Sequence, residues 1–253
     1  MNEEQYKMIF KRKSFHLFRD TGEEKIPTEE LSNIEKQYKT FKPLIENIKT
    51  DIKIVPASLS SCNRGEEYCI YLYSEEKDNY LQNIGYLGEQ LDLYLTSLNI
   101  GTLWFGIGKT EENEYNGLSF VIMMAIKKVP TDKFRKDMFK SKRKDINEMW
   151  LNESYQDIGN IVRFAPSSCN TQPWIVEGND KKLEIYRYKK PGKRGIMPVD
   201  KVNFYNRIDM GIFLLFLEVA LNNANIEYKK EIYNDTKGND EVEKTLFATY
   251  YIL

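Results

Sequence analysis

Ala165-Pro166-Ser167-Ser168-Cys169-Asn170-Thr171-Gln172-Pro173-Trp174 is the chemically densest stretch of the sequence. It combines hydroxyls, two side-chain amides, a thiol, two prolines and a large aromatic ring. The prolines resist helix, while Ser, Asn and Thr favour turns that point backbone N–H groups outward. Such a segment can present many hydrogen bonds to a flat ligand edged with heteroatoms. Composition alone equally describes a polar loop entering a strand at Trp174-Val176.

The pattern Pro-Ser-Ser-x-Asn-x-Gln-Pro-Trp resembles the signature of the FMN-dependent nitroreductase family. In that family the segment crosses a dimer interface and contacts a flavin gripped mainly by the other subunit. The resemblance implies that Pro166, Ser167, Ser168, Asn170 and Gln172 touch a cofactor. The family's Arg-rich motif normally stands a few tens of residues ahead of this segment. Here the matching run is Arg12-Lys13-Ser14-Phe15-His16, more than a hundred residues earlier.

An internal repeat accounts for that separation. The elements read along the chain are a short helix over Glu3 to Lys11, a helix start at Pro27-Thr28-Glu29-Glu30, and strands at Asp51-Val55 and Tyr68-Tyr73. A long helix follows over Asp78 to Ile100, with Leu81, Ile84, Leu87, Leu91, Leu95 and Leu98 at helical spacing and Gly101 placed to end it. Thr102-Ile107 is extended or looped, and Phe120-Ile126 is a buried strand. Ser154-Phe164 reads as a helix, Trp174-Glu177 and Leu183-Tyr188 as strands, and 189–206 as a Gly/Pro-punctuated loop. A second long helix spans Arg207 to Asn225, before strands at Ile226-Tyr233 and Leu246-Leu253.

A shift of 126 residues carries Asn83-Ile84-Gly85 onto Asp209-Met210-Gly211, Leu91 and Leu95 onto Leu217 and Leu221, and Asn99-Ile100 onto Asn225-Ile226. Ser61-Cys62-Asn63 echoes Ser168-Cys169-Asn170. Any two amphipathic helices share leucines, but the shared Gly and Asn-Ile ends favour duplication. The chain then holds two nitroreductase-like halves, 1–150 and 151–253, fused into a pseudo-dimer.

Composition is consistent with a globular protein: 253 residues, 41% hydrophobic and 13% aromatic. A formal charge of −1 gives no reason to expect nucleic acid or an anionic membrane as a partner. The three cysteines, Cys62, Cys69 and Cys169, make no even disulfide set, and with one histidine and no C-x-x-C they carry no zinc spacing. No metal is expected. The acidic N-terminus is unlike a secretory signal, and no apolar run approaches the roughly 20 residues that span a bilayer. The expectation is a cytoplasmic protein.

The remaining motifs take roles from the resemblance. Arg12, Lys13, Ser14 and His16 match the phosphate and ribityl contacts, His16 standing where the family carries a further arginine. His16 is read as a donor to the cofactor tail rather than a general base. Lys142-Arg143-Lys144 follows a strand and the Lys128-Val129-Pro130 turn, as does the family pair that closes on the phosphate. Arg143 is the better match and Lys144 the second; a solvated charge run is the plain alternative. Asn99-Ile100-Gly101-Thr102-Leu103-Trp104-Phe105-Gly106 resembles the stretch that passes the central flavin ring, which brings Trp104 and Gly106 to the site. Phe105 reads as core and Cys169 as structural, with no cation beside it to activate a thiolate.

The resemblance implies an α+β nitroreductase-like fold, a mixed, mainly antiparallel sheet flanked by helices. It implies one noncovalent FMN per chain, NAD(P)H as co-substrate, and ping-pong hydride transfer to a small-molecule nitro or quinone-type acceptor. The flavin carries the chemistry, so no catalytic side chain is assigned. A monomer would contain the whole site, with further dimerisation open. The second reading is a flavin-binding storage or sensor protein without useful turnover.

Overall fold

The structure is a computed structural model describing residues 3–189 and 195–253. The loop read over 189–206 therefore includes residues 190–194, which lie outside the described residues. The first half contains helices α1 (Glu3–Lys11) and α2 (Thr28–Tyr38), strands β1 (Thr50–Pro56) and β2 (Tyr68–Ser74), and helix α3 (Tyr80–Ser97). Strands β3 (Ile100–Phe105), β4 (Glu114–Tyr115) and β5 (Leu118–Lys128) complete it. The second half follows with α4 (Gln156–Val162), β6 (Trp174–Gly178), β7 (Lys182–Tyr188), α5 (Val202–Asn223), β8 (Tyr228–Ile232) and β9 (Lys244–Ile252).

The expected antiparallel strands and flanking helices form, with one sheet in each half, in the orders β1-β2-β5-β3 and β6-β7-β9-β8, and β4 added on β5. Among the described residues every strand pair is antiparallel, and parallel pairing is confined to the single bridges Ser14↔Thr102 and Trp150↔Val176. The two sheets share their register. Adding 113 to β2 and 126 to β5 turns Leu72↔Ile122 into Ile185↔Ala248, and Tyr73↔Phe120 into Tyr186↔Leu246, so the bulge recurs at the same step. Adding 126 to both β3 and β5 turns Thr102↔Ile126 into Tyr228↔Ile252. On this register β6 matches β1 with Trp174 at Thr50, so Pro166–Ser168 correspond to Lys42–Leu44. The echo between Ser61-Cys62-Asn63 and Ser168-Cys169-Asn170 is accidental, because the first follows β1 while the second precedes its counterpart β6.

The two long helices form the centre. Both are buried on nearly all sides, from Leu81 to Leu93 in α3 and from Tyr205 to Leu221 in α5, and their polar residues, among them Asn83, Asp92, Asp209 and Glu218, are buried with them. Contact is tightest at two glycines: a Cβ on Gly85 would lie 2.0 Å from the Ile208 carbonyl oxygen, and one on Gly211 1.8 Å from that of Gln82. Hydrogen bonds add to this join. Asn79 Oδ1 accepts from the Asp235 N–H at 2.9 Å, and Gln82 Nε2 donates to the Asp235 carbonyl at 3.0 Å. The Asp235 carboxylate is itself gripped by buried Arg187 at 2.5 and 2.9 Å.

Three local readings change. Helix α3 stops at Ser97 and Asn99, with φ 56°, takes the left-handed turn, as does its counterpart Asn225 at φ 55°; asparagine tolerates this conformation. Gly101 already lies in β3, where a Cβ would meet Phe15 at 2.8 Å. Helix α5 begins at Val202, not Arg207, because nothing between Pro198 and Ile208 breaks a helix and Pro198 leads a short turn into it. By Met149 the chain has joined the second sheet, its carbonyl accepting from Val176 and Val176 accepting from Leu151, both at 2.7 Å.

Candidate functional site

A cavity of about 300 Å³ opens between the halves. Its first-half wall is Ser14 and His16 beyond α1, with Leu103 to Ile107 at the end of β3. Its second-half wall is Pro166 to Cys169 together with Tyr205, Ile208, Asp209 and Ile212 of α5. The lining is largely apolar with a few polar groups, the usual character of a small-molecule site. Seven of the sequence-derived candidates meet here: Ser14, His16, Trp104, Gly106, Pro166, Ser167 and Ser168.

The Pro166–Gln172 segment is held in an uncommon conformation. Cys169, Asn170 and Gln172 all have positive φ, at 50°, 55° and 49°. Such residues cost about 1 kcal/mol or more each and persist only where the surroundings impose them. The surroundings are explicit. Gln172 N donates to Ser167 Oγ at 3.0 Å, and Gln172 Nε2 to the Asn170 carbonyl at 3.2 Å. Lys144 N donates to Gln172 Oε1 at 2.9 Å, Lys144 Nζ to the Gln172 carbonyl at 2.7 Å, and Asn170 Nδ2 to the Lys142 carbonyl at 3.2 Å. Asn170, Gln172 and Lys144 therefore brace the loop from behind and do not line the cavity.

Asp209 anchors the cavity side of the same loop. Its Oδ1 accepts from Ser168 N at 2.9 Å and from Ser168 Oγ at 3.1 Å, while its buried Oδ2 has no protein partner. Burial pushes this carboxyl up to about 7, against the opposing pull of the two Ser168 bonds. The matching residue in α3 is Asn83, whose Oδ1 accepts from Ile45 N at 3.0 Å. Tyr205 closes the opposite corner by donating to the Gly106 carbonyl at 2.6 Å, and a Cβ on Gly106 would strike its ring at 2.7 Å. Trp104 lies over Gly88, where a Cβ would come within 2.3 Å of the indole.

Arginines gather at the Ser14 end. Arg12 is buried, its Nε 2.6 Å from Asp92 and 3.2 Å from Glu89, and its Nη2 donates to Ser14 Oγ at 3.2 Å. Arg143 donates to two neutral carbonyls, Lys142 at 2.9 Å and Phe164 at 3.2 Å, and its buried Nε has no partner. Burial, followed by repulsion from Arg135, Arg12 and Arg163, lowers Arg143 to about 10; burial and Arg12 do the same for Arg135. Arg12 and Phe164 tie this cluster to Ser14 and to the loop ahead of Pro166, so it adjoins the cavity. Lys13 points elsewhere, donating to the Lys133 carbonyl at 3.0 Å over the Phe15 ring.

Sequence reading missed Arg135, Arg163, Asp209 and Tyr205. Asp209 stood in the repeat that matched the helices and so carried a signal, whereas Arg135 lies ahead of the basic run that supplied Arg143. Tyr205 lay in a stretch read as loop.

A larger cavity, about 820 Å³, lies against Lys42–Leu44, the counterpart of Pro166–Ser168. Its interior carboxylate, Glu218, occupies the place of Asp92 after a shift of 126 residues and is already satisfied. Tyr86, Tyr250 and Lys230 donate to it at 2.9, 2.7 and 2.7 Å. No arginine lines this cavity. The smaller cavity, with its loop and arginine cluster, is the better functional site.

No helix of the described residues is long and apolar enough to cross a membrane. No curated protein matches the chain. Among solved structures, a protein titled a putative nitroreductase, from Thermotoga maritima MSB8, is similar over 100% of this chain and 93% of its own. It is 20% identical, with a TM-score of 0.61. A protein titled a putative nitroreductase in complex with FMN, from Desulfovibrio desulfuricans, overlaps 58% of this chain and 95% of its own at 14% identity and a TM-score of 0.43. A protein titled a putative NADH oxidase, from Clostridium acetobutylicum, overlaps 58% of this chain and 99% of its own, also at 14% identity and 0.43. The model of the family described as "Putative TM nitroreductase" matches residues 4–221. With the loop, the cavity and the paired halves already in place, that match settles the family: the chain belongs to the nitroreductases.

Proposed function

We propose that the protein is an FMN-dependent NAD(P)H oxidoreductase acting on nitro or quinone-type small molecules. The observation that carries this reading is an apolar cavity beside whose Ser14 end Arg135 and Arg143 gather around Arg12, neither of them forming an ion pair among the described residues. A cavity for a flat ring with cations at one end fits a phosphate ester of an aromatic heterocycle. The orphaned Arg143 Nε and Asp209 Oδ2 are polar atoms that such a ligand could satisfy.

FMN, when bound, supplies two-electron hydride chemistry, taken from NAD(P)H and passed on to the acceptor after the nicotinamide leaves. The chain's own residues bind and orient. Arg135 and Arg143 hold the phosphate, with Arg12 fixing Ser14 beside it. Trp104 and Gly106 offer one wall to the ring, and Pro166, Ser167 and Ser168 the other. No side chain is assigned a proton-transfer step. Both walls come from one chain, so a monomer holds a complete site.

Anaerobic addition of NADH or NADPH to FMN-loaded protein, followed by a quinone, tests the reading. Bleaching of the flavin band and its return on quinone addition support it. Retained flavin that neither nucleotide bleaches would make the protein a flavin store or sensor.

A further inference from the structure

The connection between β1 and β2, with the start of β2, carries a second group of ionisable side chains that the flavin reading does not use. Sγ of Cys62, Sγ of Cys69 and a carboxylate oxygen of Glu66 all lie within 4.8 Å of one another. Among the described residues no other group of three His, Cys, Asp or Glu side chains is so placed. Both thiols are buried and Glu66 is half-buried.

The surrounding groups are arranged to hold this trio still. Ser60 Oγ donates to Cys69 Sγ at 3.1 Å and accepts from Cys62 N at 3.0 Å, putting a fourth donor atom beside the sulfurs. Glu66 Oε2 accepts from Arg64 N at 2.7 Å, which fixes the carboxylate. Burial raises both thiols, Cys62 to about 12 and Cys69 to about 11, and the Glu66 charge adds to the rise in each.

We propose that Cys62, Glu66 and Cys69 form a binding site for one thiophilic divalent cation of the zinc type. Two sulfurs and one carboxylate oxygen suit borderline and soft metals, whereas calcium and magnesium demand oxygen throughout. Binding requires each thiol to lose its proton: two S–H bonds break, two metal–sulfur bonds form, two protons enter solvent, and no electron moves. Glu66 supplies the third ligand, and Ser60 Oγ or a water the fourth. The spacing, three residues and then two, escapes a search for zinc motifs because one ligand is a loop carboxylate. The bound cation would also stiffen the segment carrying Arg64, which stacks over the Phe105 ring at 5.7 Å and lines the flavin-sized cavity.

The test uses the full chain, reduced and stripped with chelator, titrated with Cd²⁺ while the sulfur-to-metal charge-transfer band is followed. One Cd²⁺ per chain should saturate the band, with release of about two protons. Cys62→Ser and Cys69→Ser should each abolish the saturable band, Glu66→Gln should weaken binding about tenfold or more, and Cys169→Ser should leave it unchanged. Should Cys69→Ser fail to fold, Cys62→Ser and Glu66→Gln still decide. Absence of the band while all three thiols react as free in denaturant would overturn the proposal, as would a band that survives Cys62→Ser. Neither outcome bears on the flavin, which is not needed in the assay.

Discussion

Gly211 passes the backbone carbonyl of Gln82 so closely that a Cβ built on the glycine would stand 1.8 Å from the oxygen. The reciprocal contact, Gly85 on Ile208 at 2.0 Å, is the same pair moved by 126 residues: Gly85 becomes Gly211 and Gln82 becomes Ile208. The central helices therefore cross at a local two-fold, as two subunits would. Gly85→Ala and Gly211→Ala should each force the helices apart and cost about 3 kcal/mol or more. The denaturation midpoint reads this directly, and an unchanged midpoint in either variant would contradict the packing.

Arg12 should behave as a structural residue first. Removing it leaves Asp92 and Glu89 buried with no cation, and burial already pushes Glu89 well above the usual carboxylate range despite the arginine. Arg12→Ala is expected to lose about 3–5 kcal/mol of stability. A variant as stable as the parent would show that the buried carboxylates find protons or other partners at little cost.

Arg135 and Arg143 should separate phosphate binding from folding. Arg143→Ala is expected to weaken FMN by about 1.5–3 kcal/mol while leaving riboflavin, which lacks the phosphate, unaffected. Arg135→Gln relieves like-charge repulsion, so the ligand-free variant should unfold no earlier than the parent. Equal loss of FMN and riboflavin would assign these residues to the scaffold.

Asp209 predicts a pH dependence with a definite sign. Its folded-state value, about 7, lies above its ordinary value of 3.8, so the folded protein holds the proton more tightly than the unfolded chain. Its contribution is fully present below about pH 4 and is lost as pH rises through 7. Asp209→Asn keeps an oxygen for Ser168 but cannot ionise. Thermal melts between pH 4 and 8 should show the parent losing stability relative to this variant as pH rises. A constant difference across that range would show that Asp209 is ionised throughout.

Much of this was legible in the sequence because the informative residues are local and chemically unusual. Pro166-Ser167-Ser168 announced the cavity wall, and the Gly and Asn-Ile matches announced the paired helices. What was hidden depends on distance in sequence. The Arg12–Asp92 pair spans 80 residues and turns an apparent phosphate ligand into a buried ion pair. Asn170 and Gln172 read as flavin contacts because amides suit a heteroatom edge; their bonds to the loop and to Lys142 and Lys144 could not be read from the sequence. Asn99 rather than Gly101 caps α3, a choice between two residues that both tolerate the turn. The equal registers of the two sheets could not be read from strand patterns, because register is set by pairing and not by composition.

The central claim is that one cavity, built from both halves of a single chain, holds one FMN. Fluorescence titration of the full chain with FMN and with riboflavin, at a measured oligomeric state, tests it most directly. Saturation at one FMN per chain is expected, even as a monomer, with FMN bound more tightly than riboflavin. Failure to bind FMN, or saturation at two per chain, would contradict it.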